Sequence, residues 1–186
     1  MPDTSKGMLF NMILKFIQQK GKPELIHKIS AQLDKPLKYI DFFDYPVQEL
    51  MLITEKAAKG VFPDKKIETA LYTLARETFT ILAQTPILKA MLPRAKRNPM
   101  SVAQKIPFLY RQINCFGNIS VVDVKEKSCR IIFKNYKSFP HLQQGFLQQA
   151  CDYLGFITEV SLDIIKFKNN GNGDILTDFD LSLKLS

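Results

Sequence analysis

His27, His141, Cys115 and the carboxylates Asp174, Asp178 and Asp180 are the side chains that could take part in chemistry, and their spacing argues against a catalytic assembly. Imidazole is a common base and metal ligand. Yet His27 sits among Leu25, Ile26 and Ile29, and His141 opens a helical stretch far along the chain, so both read as structural. Arg111 stands four residues before Cys115, and a nearby cation lowers a thiol pKa, but buried free cysteine is the commoner state. No Gly-x-Ser-x-Gly or Ser-x-x-Lys string occurs. Asp178 and Asp180 lie two apart on the polar face of a strand pattern, where solvated acids belong. The string "NNGNGD" lacks the ligand spacing and distal Glu of a calcium loop. It also leads into a strand, not into the Lys-Ser/Thr helix of a phosphate loop. The three cysteines, Cys115, Cys129 and Cys151, form no CxxC, which argues against a disulfide scaffold or a zinc site. No catalytic residue, metal or cofactor is expected, and the chain does not read as an enzyme.

A second feature is electrostatic. Leu88 to Gln112 carries Lys89, Arg94, Lys96, Arg97, Lys105 and Arg111 with no Asp or Glu, in a chain of net charge +8. Such a stretch suits an anionic partner without identifying one. A nucleic-acid interface would add exposed aromatics or a groove-fitting helix. Phe108, Tyr110 and Phe116 are interleaved here, but their spacing suits burial, and no helix-turn-helix is visible. The segment reads as a solvated connector in which Arg94, Lys96, Arg97, Lys105 and Arg111 receive an acidic surface or an anionic head group. Nucleotide or nucleic-acid binding through residues 89–111 is the alternative.

The elements that must position these residues change period along the chain. Met8, Leu9, Met12, Ile13, Phe16 and Ile17 repeat at helical spacing up to Gly21, and Pro23 opens a second helix. "DFFDYP" turns the chain, with Pro46 in the first turn of a third helix that ends at Gly60. Asp64 is the expected N-cap of a strong helix carrying Ile67, Leu71, Leu74, Phe79 and Leu82. A short helix over Pro86–Leu92 follows. Pro93, Pro99 and Pro107 then impose short pieces separated by bends. After Gly117 the spacing becomes alternating. "NISVVDV" and "CRIIFKNY" predict a hairpin, "HLQQGFLQQACDYLGF" a helix, and "FITEVSLDI" and "ILTDFDLSLKL" a second hairpin. One apolar and one polar face per strand marks an antiparallel sheet covered on one side.

The fold class is therefore α+β: an N-terminal helical lobe over residues 1–113 packed on a four-stranded antiparallel sheet with a helix between the two hairpins, residues 114–186, in a single domain. The N-terminal apolar run is broken by Asn11, Lys15 and Gln18, no stretch is long enough to span a membrane, and a cytoplasmic location is expected.

"FFDYP" at a helix start and "CFGNISVVDV" before the first hairpin resemble elements of an uncharacterised paralogous family of myxobacterial proteins. That family is similar to the haem–nitric-oxide-binding, vinyl-reductase-type and small TRAPP-subunit domains. The resemblance covers about Lys6 to Leu185 and implies a ligand space between helices and sheet. It also implies what a haem domain would need: a histidine on a helix before the sheet, and a Tyr-x-Ser-x-Arg clamp. Here no histidine lies between Pro86 and Gly117, and "NYKSFP" supplies Tyr136 and Ser138 but Pro140 in place of arginine. A haem or tetrapyrrole sensor is thus the weakest alternative. The TRAPP resemblance implies an acyl chain on a buried cysteine, for which Cys115 is the nearest candidate.

The expected function is a non-enzymatic ligand-binding, sensory or protein-interaction module. Its pocket would be drawn from Phe79, Phe108, Tyr110, Cys115 and Phe146. The expected partner is an unknown protein or a small apolar or anionic ligand. A homodimer is expected through the first helix, which is apolar enough to serve two neighbours.

Overall fold

The computed structural model describes residues 3–186, and the side chains of residues 87, 91, 94, 95, 101 and 102 lie outside that description. Thr4–Lys6 forms β1, followed by α1 (Gly7–Gln19), α2 (Pro23–Leu33), β2 (Asp44–Pro46), α3 (Val47–Val61) and α4 (Ile67–Leu82). Phe10, Ile13, Phe16 and Ile17 of α1 are buried against neighbouring helices. Each such side chain contributes about 1.5–3 kcal/mol through removal from water. Met12 and Leu14 are buried as well, so α1 spends its apolar surface inside the chain. The expected dimer through this helix has no such face to use.

The "DFFDYP" segment does more than turn. Asp44–Pro46 pairs antiparallel with β1, so Thr4 faces Pro46 and Lys6 faces Asp44. Pro46 is the N-cap of α3 and not its first turn. Likewise α4 starts at Ile67 behind Lys66, so Asp64 is exposed in the preceding turn and does not cap it.

Beyond α4 come α5 (Pro86–Arg97), α6 (Pro99–Ala103) and α7 (Ile106–Ile113). Pro93 lies inside α5, which therefore runs past the expected stop at Leu92. Proline at that place forgoes one backbone bond but does not end the helix. The breaks fall at Asn98 and at Gln104–Lys105, just ahead of Pro99 and Pro107, two of the three prolines expected to impose them.

The sheet contains β3 (Asn118–Val122), β4 (Ser128–Tyr136), β5 (Thr158–Asn169) and β6 (Ile175–Leu185), with α8 (Pro140–Leu154) between the hairpins. All neighbours are antiparallel in the order β3–β4–β6–β5. Ile175, Thr177, Phe179, Leu181 and Leu183 of β6 are buried in strict alternation, so one face is covered and one is not. The turn "NNGNGD" has positive φ at Gly171, Asn172 and Gly173, the conformation those residues tolerate. Helix α8 holds the two layers together by packing on both α4 and β5. Its approach to α4 is close at Gly145, where a Cβ would stand 2.5 Å from the Tyr72 carbonyl oxygen. Among the described residues, no helix is long and apolar enough to cross a membrane.

Candidate functional site

The inner face of β4 and β6 is not filled by one helix. Ile131 and Phe133 of β4 and Leu181 and Leu183 of β6 form one wall of a cavity of about 240 Å³. Phe146, Leu147, Ala150 and Cys151 of α8 and Phe79 and Leu82 of α4 form another. The third wall is the bent segment α5–α7, through Leu88, Leu92, Ala103, Ile106, Leu109 and Ile113. The proline bends matter here. Short helices that break just ahead of Pro99 and Pro107 wrap over the space, whereas one straight helix would cross it.

Among the described residues no charged side chain lines this cavity; its few polar side chains include Thr85, Tyr110, Asn114 and Gln143. Apolar cavities of this kind stay dry and accept apolar guests. The polar groups are tied to one another. Tyr110 donates its hydroxyl to Gln143 Oε1 at 2.6 Å, and Gln143 Nε2 donates to Ser138 Oγ at 2.9 Å. Ser5 Oγ donates to Asn114 Oδ1 at 2.7 Å, and Asn114 Nδ2 donates to the Tyr136 oxygen at 3.3 Å. Burial pushes the Tyr110 and Tyr136 hydroxyls above the usual phenol range, the Asn114 bond opposing part of the rise at Tyr136. Both stay neutral. A second cavity of about 40 Å³ lies behind this network and shares Leu9, Asn114, Gln143 and Phe146 with the first.

Phe79, Tyr110 and Phe146 line the large cavity. Phe108 does not: it is 64% exposed on α7. Ile106, Leu109, Tyr110 and Ile113 take the inner face of that helix and leave Phe108 outside. Cys115 is also exposed and outside the lining. Its backbone N–H donates to the Thr4 carbonyl, which ties it to β1 and away from the cavity. The cysteine that does line it is Cys151, whose thiol is pushed up to about 11, chiefly by burial. Lys96, Arg97, Lys105 and Arg111 are exposed, and none joins an ion pair among the described residues. The side chain of Arg94 lies outside the described residues. His27 is exposed on α2, not packed as its neighbours suggested. His141 is half-buried at the start of α8, its pKa lowered by burial and partly restored by Glu68. Among the described residues, no cluster of metal-ligating side chains exists.

Leu181, Leu183, Ile131 and Phe133 were not among the expected pocket residues, although strand alternation marks them as inward. Nor were Gln143 and Asn114, for which nothing local gives a signal. Each gains its meaning from a tyrosine brought by another element.

A protein-family model matches residues 1–166. The chain belongs to the DUF2378 family, a family of proteins of unknown function. No curated protein matches it in sequence. In structure it is similar to the Fe(II) unliganded H-NOX protein from K. algicida, with a TM-score of 0.73 and 18% identity over 97% of this chain and 96% of that one. It is also similar to a point variant of H-NOX from T. tengcongensis, with a TM-score of 0.66 and 10% identity over 97% of each. An oxygen-binding H-NOX domain related to soluble guanylate cyclases matches with a TM-score of 0.64, at 10% identity over 97% of this chain and 95% of that one. The fold is thus H-NOX-like, with its helical part, four-stranded sheet and intervening helix, and the resemblance to the haem–nitric-oxide-binding domains holds at the level of fold.

That likeness raises haem as a cofactor, and the described residues do not supply the cavity histidine and the Tyr-x-Ser-x-Arg clamp by which the resemblance would hold one. Haem iron is held by His, by Cys thiolate, by Met or by Tyr. Neither His27 nor His141 lines the cavity. Cys151, Tyr110 and Met8 do, and burial raises the Cys151 thiol and the Tyr110 hydroxyl above their ordinary values. Tyr136 and Ser138 are buried and engaged with Asn114 and Gln143, and Pro140 is buried at the start of α8, so no propionate clamp is formed.

Proposed function

We propose that this protein is a non-enzymatic binding or sensory module that takes a small apolar ligand into the cavity between α4, α8, the α5–α7 segment and the sheet. The observation that carries the reading is the uncharged lining among the described residues, in which Tyr110 and Gln143 make the main hydrogen-bonding feature. Most small-molecule sites are concave and apolar with a few placed polar groups. An apolar molecule bearing one acceptor or donor near Tyr110 fits this description. The oxygen-binding neighbour of the same fold supports a role in holding small guests. The exposed cations Lys96, Arg97, Lys105 and Arg111 are the proposed contact for an acidic partner surface or a ligand head group.

The test is native mass spectrometry of freshly purified protein together with titration of a fluorescent apolar probe such as N-phenyl-1-naphthylamine. Saturable one-to-one binding is expected, with loss of the probe signal in Ala150→Phe, which fills the cavity. Absence of both copurified ligand and probe binding overturns the reading.

A further inference from the structure

Among the described residues the strand order leaves β5 with β6 as its one partner, so one long side of this twelve-residue strand is an open edge. Only its beginning is covered by α8. Gln144 Nε2 donates to the Val160 carbonyl at 2.9 Å, and Gln148 Nε2 donates to Thr158 Oγ1 at 3.2 Å. From Asp163 to Asn169 every residue is exposed. Ile164, Ile165 and Phe167 are 40%, 63% and 47% exposed. A long apolar edge with unpaired backbone groups is a template for strand addition.

The charges on this edge decide what adds to it. A bulge between Ile164 and Lys166 shifts the alternation by one residue. Lys166 and Lys168 therefore share the outer face with Glu159 and Asp163: against β6, Glu159 faces Lys184, Asp163 faces Asp180 and Lys166 faces Asp178. One half of the strand is acidic and the other basic. Parallel pairing of two such edges sets lysine on lysine. Antiparallel pairing about a two-fold axis at the bulge sets acid on lysine twice, and cross-strand pairs favour opposite charges.

A second observation marks a place for an extra cation. Asp163 lies directly across from Asp180, acid against acid. Arg130 reaches Asp180 Oδ2 at 3.4 Å while also holding Asp123 at 3.1 Å. Asp180 Oδ1 is buried with no hydrogen-bond partner among the described residues. A lysine arriving beside Asp163 supplies the charge this pair lacks.

We infer that two copies of this chain join through β5, antiparallel, with Asp163 of each copy facing Lys166 of the other, so that their sheets become continuous. The lysines and the bulge, which discourage indiscriminate edge pairing, leave this register as the one with matched charge. The inference does not rest on the cavity.

Sedimentation equilibrium of the full chain over a range of concentrations tests it. The wild type is expected to be a dimer. Asp163→Lys and Lys166→Asp are each expected to weaken it about tenfold or more, since each meets like charge twice. An equimolar mixture of the two variants is expected to restore dimer, because acid then meets lysine at both contacts. Circular dichroism checks folding, and if Lys166→Asp is unfolded, Ile165→Arg replaces it and is expected to be monomeric. A wild type that stays monomeric at every soluble concentration overturns the inference. So does a dimer indifferent to the substitutions, or variants that fail to re-pair on mixing. Binding of the apolar probe is expected to be unchanged in both charge variants, which separates this test from that of the cavity.

Discussion

Tyr110 on α7 and Gln143 on α8 meet across the cavity wall, hydroxyl to amide oxygen, at 2.6 Å. The same glutamine holds Ser138 just beyond the end of β4, so one side chain links the bent segment, the inter-hairpin helix and the connection leaving the sheet. Tyr110→Phe leaves Gln143 Oε1 buried without its donor. The expected cost is about 1–3 kcal/mol of stability, measured by urea denaturation. Gln143→Leu removes the acceptor as well as the Ser138 bond. The double variant should lose less than the sum of the two, because the groups act as a pair.

Size, beside the one polar feature at Tyr110, should govern what the cavity holds. Leu183→Ala enlarges it and is expected to cost about 2–5 kcal/mol, the usual penalty for an unfilled core deletion. Bound apolar ligand should return part of that stability by favouring the folded state. The check is a melting curve of Leu183→Ala with and without the probe. A larger upward shift than in wild type is expected.

The fold was legible because alternation and helical spacing are written in the apolar residues themselves. Ile175, Phe179, Leu181 and Leu183 announce a half-buried strand, and Gly117 marks the change of period. The small β1–β2 pairing was not legible, since strands of three residues carry no periodicity. The cavity was only partly so. Phe79, Tyr110 and Phe146 were within reach as apolar residues on helix faces. Phe108 was not separable from Tyr110, because a helix of eight residues is too short for its apolar spacing to show which side is inward. Cys115 and Cys151 differ by position in the fold and not by local sequence. The role of Gln143 arises from contacts with residues 33 and 5 positions away, which no local pattern encodes.

Gly145 is where α8 lies against α4. A Cβ added there would come within 2.5 Å of the Tyr72 carbonyl oxygen and 2.8 Å of the Ala75 Cβ. Neither neighbour is a flexible side-chain end. Gly145→Ala should therefore push the helices apart despite its better helix propensity, with a loss of about 1–3 kcal/mol typical of overpacking. Because α8 also walls the cavity, probe affinity is expected to fall in the same variant. Parallel denaturation and titration measure both.

His141 gives the stability a pH slope. Burial lowers its pKa below the ordinary imidazole value, with Glu68 partly opposing. The unfolded chain therefore takes up a proton at a pH where the folded chain does not. Stability is complete above the ordinary value and declines as pH falls from there to the folded pKa, below which both states are protonated and the slope ends. His141→Gln should remove this slope while leaving the rest of the profile. Melting temperatures between about pH 5 and pH 8 show it as a flatter curve for the variant.

The three cysteines should separate by reactivity. Cys115 is exposed, while Cys129 and Cys151 are buried. Burial raises both buried thiols, Cys151 to about 11, and the thiol form is a poor nucleophile. Iodoacetamide on the native protein is expected to label Cys115 first, and mass spectrometry locates the adduct. Cys151 should label only through opening of the α5–α7 segment over the cavity. Its labelling rate should then fall when the cavity is occupied by the apolar probe, whereas the rate at Cys115 should not change. Equal protection of both residues would mean that the probe acts by stabilising the whole fold, and no protection of Cys151 would place the probe elsewhere.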